Sequence, residues 1–597
     1  MFTPLLEPIE NPRNHPRNPW FFGVLLAIVL LLGLIVKSYL NKPQLLTDPF
    51  LQLPTANSVR VVWFTEFPGI RNTVTYGENM SQVVAATTAK LSRTREDKDS
   101  RIWDEIKQDI INGPIARNIW RHEAEIPNLT PGVRIPYAVT SQREDAELVS
   151  SKTFTLSPTP AAGTPLKILL TSDHQLMPMT AANLQKVAET IDRVDGVFMA
   201  GDLINIPDRA SEWFDDTRGR AFFPCLQGRG FSELDKNGIK TVYTGGELIQ
   251  HAPLFPAIGN HEIMGRFSQA SKLDEQFNDP FPRAAAEKIY DLNASKLNPN
   301  NDPEVRETWL KNQSFNSDTY DEIFTFPNYK NYYAVTFGDV RLVTLYVTNI
   351  WRTPNLDAGA RGKYRERDED FNNPEKWGYG QHIFEPIVKG SEQYNWLQQE
   401  LDSPEFKQAK YKIVMFHHPP HSLGDNIVPA YTDPVQIVDR DEQQNIKMVR
   451  YEYPKAKDYI IRDAVPLLEK AGAQLVFYGH SHLWNRFESP SGMHFLESSN
   501  VGNSYGAFAG EKRRFVPPAY REDYSAIGDP NGLNPVMPTI APLLGKDGRR
   551  LPYIESNDIT AFSIFDTSNG VVSSYYFDTR KPESDVVKFD EFKLKNS

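Results

Sequence analysis

The sequence has almost no cysteine, since Cys225 is the single one in 597 residues. This excludes a disulfide bond within the chain, and it excludes a zinc site built from several cysteines. The chain also lacks a long run of basic residues, and its formal net charge is −11. We therefore expect no nucleic acid among its partners. A length of 597 residues exceeds one ordinary domain, so two or three folded units are expected.

An apolar run follows the polar tail at residues 1–19. No residue from 20 to 36 is charged, and at about 1.5 Å per residue a helix over this run would span roughly 25 Å. Trp20 and Tyr39 stand at positions typical of a membrane interface. We predict an uncleaved single-pass anchor at residues 20–40, with a buried core helix or a cleaved signal peptide as alternatives. The flanking charges leave the orientation open, but a short tail before the anchor favours an extracytoplasmic body.

Residues 44–157 have the pattern of an all-β domain. Short segments of strand composition, such as residues 58–65 and 119–126, are separated by turn signals such as Pro131-Gly132. They predict a β-sandwich, into which the charged residues 92–112 are inserted as a loop or surface helix. Residues 158–165 are proline-rich and predict a linker. A second domain is expected at residues 166–585, followed by a polar C-terminal tail at 586–597.

After the linker, strands alternate with helices, as is typical of an α/β domain. Five apolar segments predict buried strands, and each is followed at once by side chains that can bind a metal ion. Ligands of such sheets bind beyond the carboxyl ends of the strands. The five endings are Asp173-His174-Gln175, Gly201-Asp202, Gly259-Asn260-His261-Glu262, His417-His418 and Gly479-His480-Ser481-His482. Together with His421 just beyond the fourth, they hold seven of the 12 histidines, which indicates a functional site.

Side chains alternate along an extended chain, and this limits which of these residues share a face. The alternation groups His480 with His482 and Asp173 with Gln175, and it turns His174 away from the site.

By the same argument, only one of His417 and His418 can face the site. We therefore expect His418 to be structural or to contact substrate. His421 lies in the following loop, and we expect it to line the rim of the site or to contact substrate.

The candidate ligands are carboxylate, amide and imidazole groups, a set that suits Mn, Fe or Zn. They are more numerous than one catalytic ion with open positions requires. The sequence therefore predicts two divalent or trivalent ions. Only a carboxylate has two oxygens with which to bridge them, and Asp202, directly after a glycine, is the natural bridge.

The five endings, in this order, resemble the calcineurin-type metallophosphoesterase family. The domain at residues 44–157 is similar to the fibronectin-like domain that precedes purple acid phosphatases. The resemblance implies an α/β fold, α+β in detail, in which a β-sheet sandwich is flanked by helices. It implies one ion bound by Asp173, Gln175, Asp202 and His482, and another bound by Asp202, Asn260, His417 and His480.

The resemblance also implies an acid-phosphatase-like hydrolase acting on a phosphate ester. A hydroxide that bridges the ions would attack phosphorus, and His261 would protonate the leaving oxygen as general acid. Glu262 would support His261 or a ligand from outside the coordination shell. The alternatives are a phosphodiesterase or nucleotide hydrolase, and an inactive metal-binding surface protein.

Two positions depart from the pattern of these families. Gln175 stands where the family often has histidine, and its amide oxygen is a weaker ligand. Asn205 stands where purple acid phosphatases have tyrosine, so we expect no tyrosinate band and no purple colour. Asn205 stays a possible polar contact to substrate.

Overall fold

The computed structural model describes residues 44–103, 113–279, 281–328, 330–351, 364–374, 377–378, 381–505, 509 and 528–595. The predicted polar tail and membrane anchor, residues 1–40, lie outside these ranges. No helix within these ranges is long and apolar enough to cross a membrane. Residues 45–597 form one compact unit.

The N-terminal β region consists of two antiparallel sheets and a small strand pair. Its strands are β1 (Phe50–Gln52), β2 (Val59–Thr65), β3 (Arg71–Tyr76), β4 (Gln82–Ala85), β5 (Thr87–Lys90), β6 (Arg95–Glu96), β7 (Ile115–Ala116), β8 (Trp120–Ile126), β9 (Ile135–Gln142), β10 (Leu148–Ser150) and β11 (Phe154–Leu156). One sheet has the order β1-β2-β8-β5; the other has β10-β9-β3-β4, with β11 also paired to β9. Trp63, Val74 and Tyr137 fill the core between the sheets, as the alternating sequence pattern predicts.

The inserted segment of this region differs from its prediction. Residues 94–97, expected in a loop or surface helix, are buried, and strand β6 pairs with β7; residues 104–112 of the segment lie outside the described ranges. Strand β6 also forms a parallel bridge between Arg95 and Arg209, a residue of the following region. Strand β1 also contacts the second region, since Phe50 packs on Phe223 at 5.0 Å between ring centroids. The inserted segment therefore packs against the second region.

The second region contains two large sheets packed face to face. The six-stranded sheet has the order β16-β13-β12-β28-β29-β30, and the seven-stranded sheet has the order β17-β18-β21-β24-β26-β25-β27. Their strands are β12 (Lys167–Thr171), β13 (Gly196–Met199), β16 (Leu254–Pro256), β17 (Tyr333–Phe337), β18 (Val340–Thr344), β21 (Tyr411–Met415), β24 (Leu475–Tyr478), β25 (Trp484–Glu488), β26 (His494–Ser498), β27 (Tyr553–Ile554), β28 (Ile559–Asp566), β29 (Val571–Asp578) and β30 (Val587–Lys593). Hairpins are formed by β14 (Ser232–Lys236) with β15 (Ile239–Tyr243), β19 (Asn349–Trp351) with β20 (Gln381–Ile383), and β22 (Val435–Arg440) with β23 (Ile446–Glu452).

Helices cover the outer faces of the two sheets. The described helices are α1 (Thr180–Thr190), α2 (Ala210–Phe214), α3 (Phe222–Leu226), α4 (Leu273–Phe277), α5 (Arg283–Leu297), α6 (Pro303–Asn312), α7 (Asp318–Ile323), α8 (Glu392–Asp402), α9 (Pro404–Gln408) and α10 (Val465–Ala471). Leu184 of α1 packs on the six-stranded sheet, whereas Leu397 of α8 and Leu468 of α10 pack on the seven-stranded sheet. Leu170 and Ile413 fill the core between the sheets. The predicted α+β fold, a β-sheet sandwich flanked by helices, is therefore confirmed.

The polar C-terminal tail predicted for residues 586–597 is wrong over most of its length. Strand β30 closes the edge of the six-stranded sheet by pairing with β29. Phe592 and Leu594 are buried and alternate with exposed Glu591 and Lys593, and Phe589 is buried at a register shift in the pairing with β29. The second region therefore extends to this strand.

The five strands predicted to end at the site are β12, β13, β16, β21 and β24. Strand β13 is parallel to β12 and β16 in one sheet, and β21 is parallel to β24 in the other. Their carboxyl ends therefore lie at the same edge of each sheet, where the polar endings meet.

Candidate metal centre

The Nε2 atom of His417 lies at the centre of one group of potential ligand atoms. It is 3.1 Å from Oδ1 of Asn260, 3.2 Å from Oδ2 of Asp202 and 3.2 Å from Nδ1 of His480. Two ligand atoms that are each about 2.1 Å from one ion, at right angles, are about 3.0 Å apart. The spacing of these four side chains therefore fits a shared metal ion.

The other ring nitrogen of His417 fixes the orientation of this imidazole. Its Nδ1 lies 2.8 Å from the carbonyl oxygen of Ala200, which can only accept, so Nδ1 carries the proton. Nε2 then has its lone pair available for an ion. A ligating histidine held by a backbone carbonyl in this way is a common arrangement in metal sites.

A second group, the carboxylate cluster, consists of Asp173, Asp202 and His482. One ligand atom from each lies within 4.8 Å of the others, and all three residues are buried. Gln175 adjoins the cluster, because its Nε2 lies 3.4 Å from Oδ2 of Asp202. The Oε1 atom of Gln175 is buried and has no hydrogen-bond partner among the described residues. A buried amide oxygen without a partner is costly, and a bound cation would satisfy it.

The backbone at these residues is not extended. The φ angles are +54° at Asp173, +41° at Gln175, +55° at Asp202, +81° at His480 and +54° at His482. Non-glycine residues rarely adopt this left-handed conformation, and such residues concentrate at functional sites. The predicted grouping of these side chains therefore arises from tight turns, and the alternation used to predict it does not apply.

The same difference explains the position of His418. Strand β21 ends at Met415, so the chain bends before His417 and both imidazoles lie on one side. His417, His418 and His480 form a histidine cluster whose ligand atoms lie within 4.8 Å of one another. The ring of His418 stacks on that of His480 at 3.9 Å. The expectation that only one of the paired histidines faces the site is wrong.

Other histidines lie away from the ligand groups. His174 is buried, its Nε2 is 2.9 Å from Oγ1 of Thr171, and burial lowers its pKa to about 3. This agrees with the predicted outward orientation. His421 packs on Phe495 at 4.6 Å, and its Nδ1 lies 2.7 Å from Asp529. His421 is therefore part of the core, and the predicted contact with substrate is not supported.

His261 is held at two points beside the ligands. Its Nδ1 lies 2.8 Å from the carbonyl oxygen of Asn205, and its ring stacks on Phe277 at 5.2 Å. Since a carbonyl only accepts, Nδ1 donates and Nε2 is the atom that can exchange a proton with a substrate. The side-chain Nδ2 of Asn205 donates to the carbonyl oxygen of Gln175 at 2.7 Å. The amide of Asn205 therefore contacts its neighbour in the site, and the predicted contact with substrate is not supported.

Two buried glutamates hold the loops that carry the ligands. Glu262 accepts three backbone N–H groups, from Asp202 at 2.9 Å, Leu203 at 2.8 Å and Gly259 at 2.7 Å. It does not lie among the ligand atoms, in line with its predicted supporting role. Glu497, which the sequence did not suggest, accepts the N–H group of Ser481 at 2.8 Å.

Glycine permits the close approach of the loops. A Cβ atom on Gly201, where φ is +93°, would lie 2.8 Å from Nδ1 of His417 and from the backbone nitrogen of Gly259. A Cβ atom on Gly479 would lie 2.3 Å from Oδ2 of Asp173. Distances below 3.0 Å would force the ligands apart, so both positions require glycine.

The charges of the site interact strongly. Burial raises the pKa of Asp173 to about 8, with Asp202 adding to the rise and His417 opposing it. Burial alone would raise the pKa of Asp202, but His417 and His261 hold it below its usual range. Burial alone would lower the pKa of His417, but Asp202 raises it to about 10. Metal binding would replace the proton on His417 and keep both carboxylates ionised.

The donor set fits two ions. Asp202 belongs to both groups, since it lies in the carboxylate cluster and its Oδ2 is close to His417.

Besides Glu497, two further residues near the ligands were not predicted from the sequence, Asn503 and Tyr505. Oδ1 of Asn503 is 3.1 Å from Nδ1 of His482, and the exposed ring of Tyr505 is 5.4 Å from that imidazole. Neither follows a strand in the way that revealed the ligands.

This arrangement defines a candidate two-ion hydrolase site built on two facing sheets. The family model for calcineurin-like phosphoesterases matches residues 166–483, which is more than half of the chain. The chain therefore belongs to the calcineurin-like phosphoesterase family, and the family predicted from the sequence is confirmed.

Several solved structures are similar to the chain at low identity. A purple acid phosphatase from yellow lupin (Lupinus luteus) seeds is 14% identical, with a TM-score of 0.49, over 91% of this chain and 73% of that one. PhoD is 10% identical, with a TM-score of 0.40, over 93% of this chain and 94% of that one. GAP50, the anchor in the inner membrane complex of Plasmodium, is 12% identical, with a TM-score of 0.30, over 72% of this chain and 90% of that one. No curated protein matches the chain.

Proposed function

We propose that this protein is a membrane-anchored phosphoesterase that hydrolyses a phosphate ester with two bound ions of Mn, Fe or Zn. The observation that carries the proposal is the convergence of Asn260, Asp202 and His480 on Nε2 of His417, beside the carboxylate cluster. Membership of the calcineurin-like phosphoesterase family supports the same reaction.

Asp173, Gln175, Asp202 and His482 would hold one ion; Asp202, Asn260, His417 and His480 would hold the other. The ions would supply Lewis-acid activation of water and positive charge for the phosphoryl oxygens. In the reaction a bond forms between water oxygen and phosphorus, and the bond from phosphorus to the leaving oxygen breaks. His261 provides the proton that the leaving oxygen takes up: the carbonyl oxygen of Asn205 engages its Nδ1, so Nε2 is the nitrogen that can release a proton.

The enzymatic part of the proposal is tested with the full chain in detergent. After loading with Mn²⁺, wild type should hydrolyse nitrophenyl phosphate or bis-nitrophenyl phosphate, and the ratio of the two rates separates a monoesterase from a diesterase. Asp202→Asn should lower the faster rate by at least about 100-fold, since it removes the shared charge. If wild type and Asp202→Asn were equally inactive on these and on a nucleotide panel, the protein would be a metal-binding surface protein instead.

The proposed anchor rests on the uncharged run at residues 20–36. Full-length protein should stay with membranes after alkaline carbonate extraction, and a variant without residues 20–40 should not. A protease added outside intact cells should then cleave the body if it is extracytoplasmic. Release of the full-length protein by carbonate would contradict the anchor.

A further inference from the structure

His261 depends on two supports, and a single residue of the N-terminal β region is linked to both through hydrogen bonds and ion pairs. The first support is the carbonyl group of Asn205, which fixes Nδ1 of the imidazole at 2.8 Å. The second is the ring of Phe277, stacked at an interplanar angle of 28°. A proton donor needs its ring fixed in orientation, because a small displacement of the acid from the leaving oxygen costs rate.

The first support continues into a buried ion-pair network. The backbone N–H groups of Asn205 and Ile206 donate to Oε2 of Glu212, at 2.7 and 2.9 Å. Oε1 of Glu212 pairs with Nη1 of Arg209 at 2.9 Å. Nη2 of Arg209 pairs with both carboxylate oxygens of Asp97 at 3.2 Å.

The second support starts from the same carboxylate. Oδ2 of Asp97 accepts the backbone N–H group of Leu273 at 2.7 Å. Leu273 begins helix α4, and Phe277, which stacks on His261, ends it. Asp97 is therefore joined to both supports, although it lies in the segment inserted into the N-terminal β region.

The surroundings of Asp97 favour its charged form. Asp97 is 1% exposed. Burial alone would raise its pKa, but Arg209 and the N–H group of Leu273 hold the pKa below the usual range. A buried carboxylate with an ion pair and several N–H donors is costly to lose, because its partners would remain buried without compensation.

We propose that Asp97 is a positioning residue for His261, so that the N-terminal β region contributes to the orientation of the proposed proton donor. This inference rests on the proposed phosphoesterase function. It predicts that substitution of Asp97 lowers kcat by a factor that depends on the leaving group. A poor leaving group needs a proton and a good one does not, so misplacing His261 affects only the former strongly.

The test measures kcat of the full, Mn²⁺-loaded chain on aryl phosphates whose leaving phenols span a range of acidity. Asp97→Asn should reduce kcat about 10–100-fold for phenyl phosphate, but by no more than about 2-fold for nitrophenyl phosphate, with KM little changed. The matched control is Asp99→Asn, which removes a neighbouring, half-exposed carboxylate that pairs with Lys272 at 3.0 Å. This control should leave both rates unchanged.

An equal fall in the kcat of Asp97→Asn on both substrates, or no fall on either, would overturn the proposal. If Asp97→Asn fails to fold, Arg209→Lys is measured in its place. One ammonium group cannot pair with both Asp97 and Glu212, so kcat should fall with the same dependence on the leaving group, but by a smaller factor. If wild type hydrolyses no ester, the proposed function fails. The positioning role of Asp97 is then tested separately, by the tautomer of His261. Histidine carbon and nitrogen chemical shifts, assigned with His261→Gln, should show the Nδ1–H form lost in Asp97→Asn. Its retention would contradict the inference.

Discussion

Nε2 of His417 lies 3.1 Å from Oδ1 of Asn260, although the two residues follow strands of different sheets. Asn260 follows β16 of the six-stranded sheet, and His417 follows β21 of the seven-stranded sheet. The candidate metal centre therefore depends on how the two sheets pack on each other. Substitutions that displace one sheet edge should change ion binding without touching a ligand.

The close approach at Gly201 gives one such prediction. Gly201→Ala places a Cβ atom 2.8 Å from Nδ1 of His417, so the imidazole must move. Titration calorimetry with Mn²⁺ should show at least about 10-fold weaker binding, the scale expected when a ligand loses its support.

Gly132→Ala is the matched control. Gly132 also has a positive φ, +76°, but a Cβ atom there meets nothing within 4 Å. Both variants pay about 1 kcal/mol for an L residue in a left-handed conformation, so only the collision differs. Equal affinities for Mn²⁺ in the two variants would contradict the geometry of the site.

Glu497 supports the loop between His480 and His482. Its carboxylate accepts from the N–H group of Ser481 at 2.8 Å through one oxygen and from Nδ2 of Asn485 at 3.0 Å through the other. In Glu497→Gln the amide has only one oxygen, so one of these donors loses its acceptor. We expect unfolding free energy to fall by about 1–3 kcal/mol and Mn²⁺ affinity to fall about 10–100-fold.

Denaturant titration and calorimetry measure these two quantities. Glu488→Gln, a change at a more exposed glutamate near the end of β25, serves as control and should alter neither. Unchanged ion affinity in Glu497→Gln would mean that the loop keeps its geometry without the carboxylate.

Removal of His261 should discriminate between substrates. His261→Ala should lower kcat about 10²–10⁴-fold for phenyl phosphate, because the leaving oxygen then departs without a proton. The loss for nitrophenyl phosphate should be only a few-fold. A uniform loss across a series of leaving groups would assign His261 to binding or folding instead of proton transfer.

The stability of the N-terminal β region should depend on pH through His122. This imidazole lies between Oγ1 of Thr65 at 2.8 Å and Oγ1 of Thr88 at 2.9 Å. Burial, helped by Arg121, lowers its pKa from 6.5 to about 3. The folded state resists protonation, so stability is full above pH 6.5 and is lost as the pH falls from about 6.5 toward about 3.

At pH 5 the loss of unfolding free energy amounts to about 2 kcal/mol, because pH 5 lies about 1.5 units below the ordinary histidine pKa of about 6.5. Urea titrations at pH 7.5 and pH 5 should show that wild type loses about this much more unfolding free energy than His122→Gln. Equal losses in both proteins would mean that His122 is not kept neutral by burial.

The strands and most of the site were predictable because the signals are local. An apolar strand and the ligand that follows it are adjacent in sequence, as in residues 254–260. Left-handed turns at Asp202 and His480 are set by packing between loops, and an argument from alternating side chains misses them. The position of His418 beside His480 was missed for this reason.

The buried charges of the inserted segment were not predictable. A run of charged residues such as 93–99 normally lies on a solvated surface. Here Arg95 pairs with Asp208 at 2.5 Å and Asp97 pairs with Arg209, partners more than a hundred residues away. Strand β30 was missed in a similar way, because an edge strand with one polar face resembles a polar tail.

The proposed function requires two ions that share Asp202. The most direct measurement is the metal content of the full chain, by mass spectrometry after Mn²⁺ loading and removal of free ion. We predict about two equivalents per chain for wild type and for the exposed control Asp192→Asn, and less than one for Asp202→Asn, because the carboxylate serves both positions. Near-zero content in wild type, or an unchanged content in Asp202→Asn, would contradict the two-ion site.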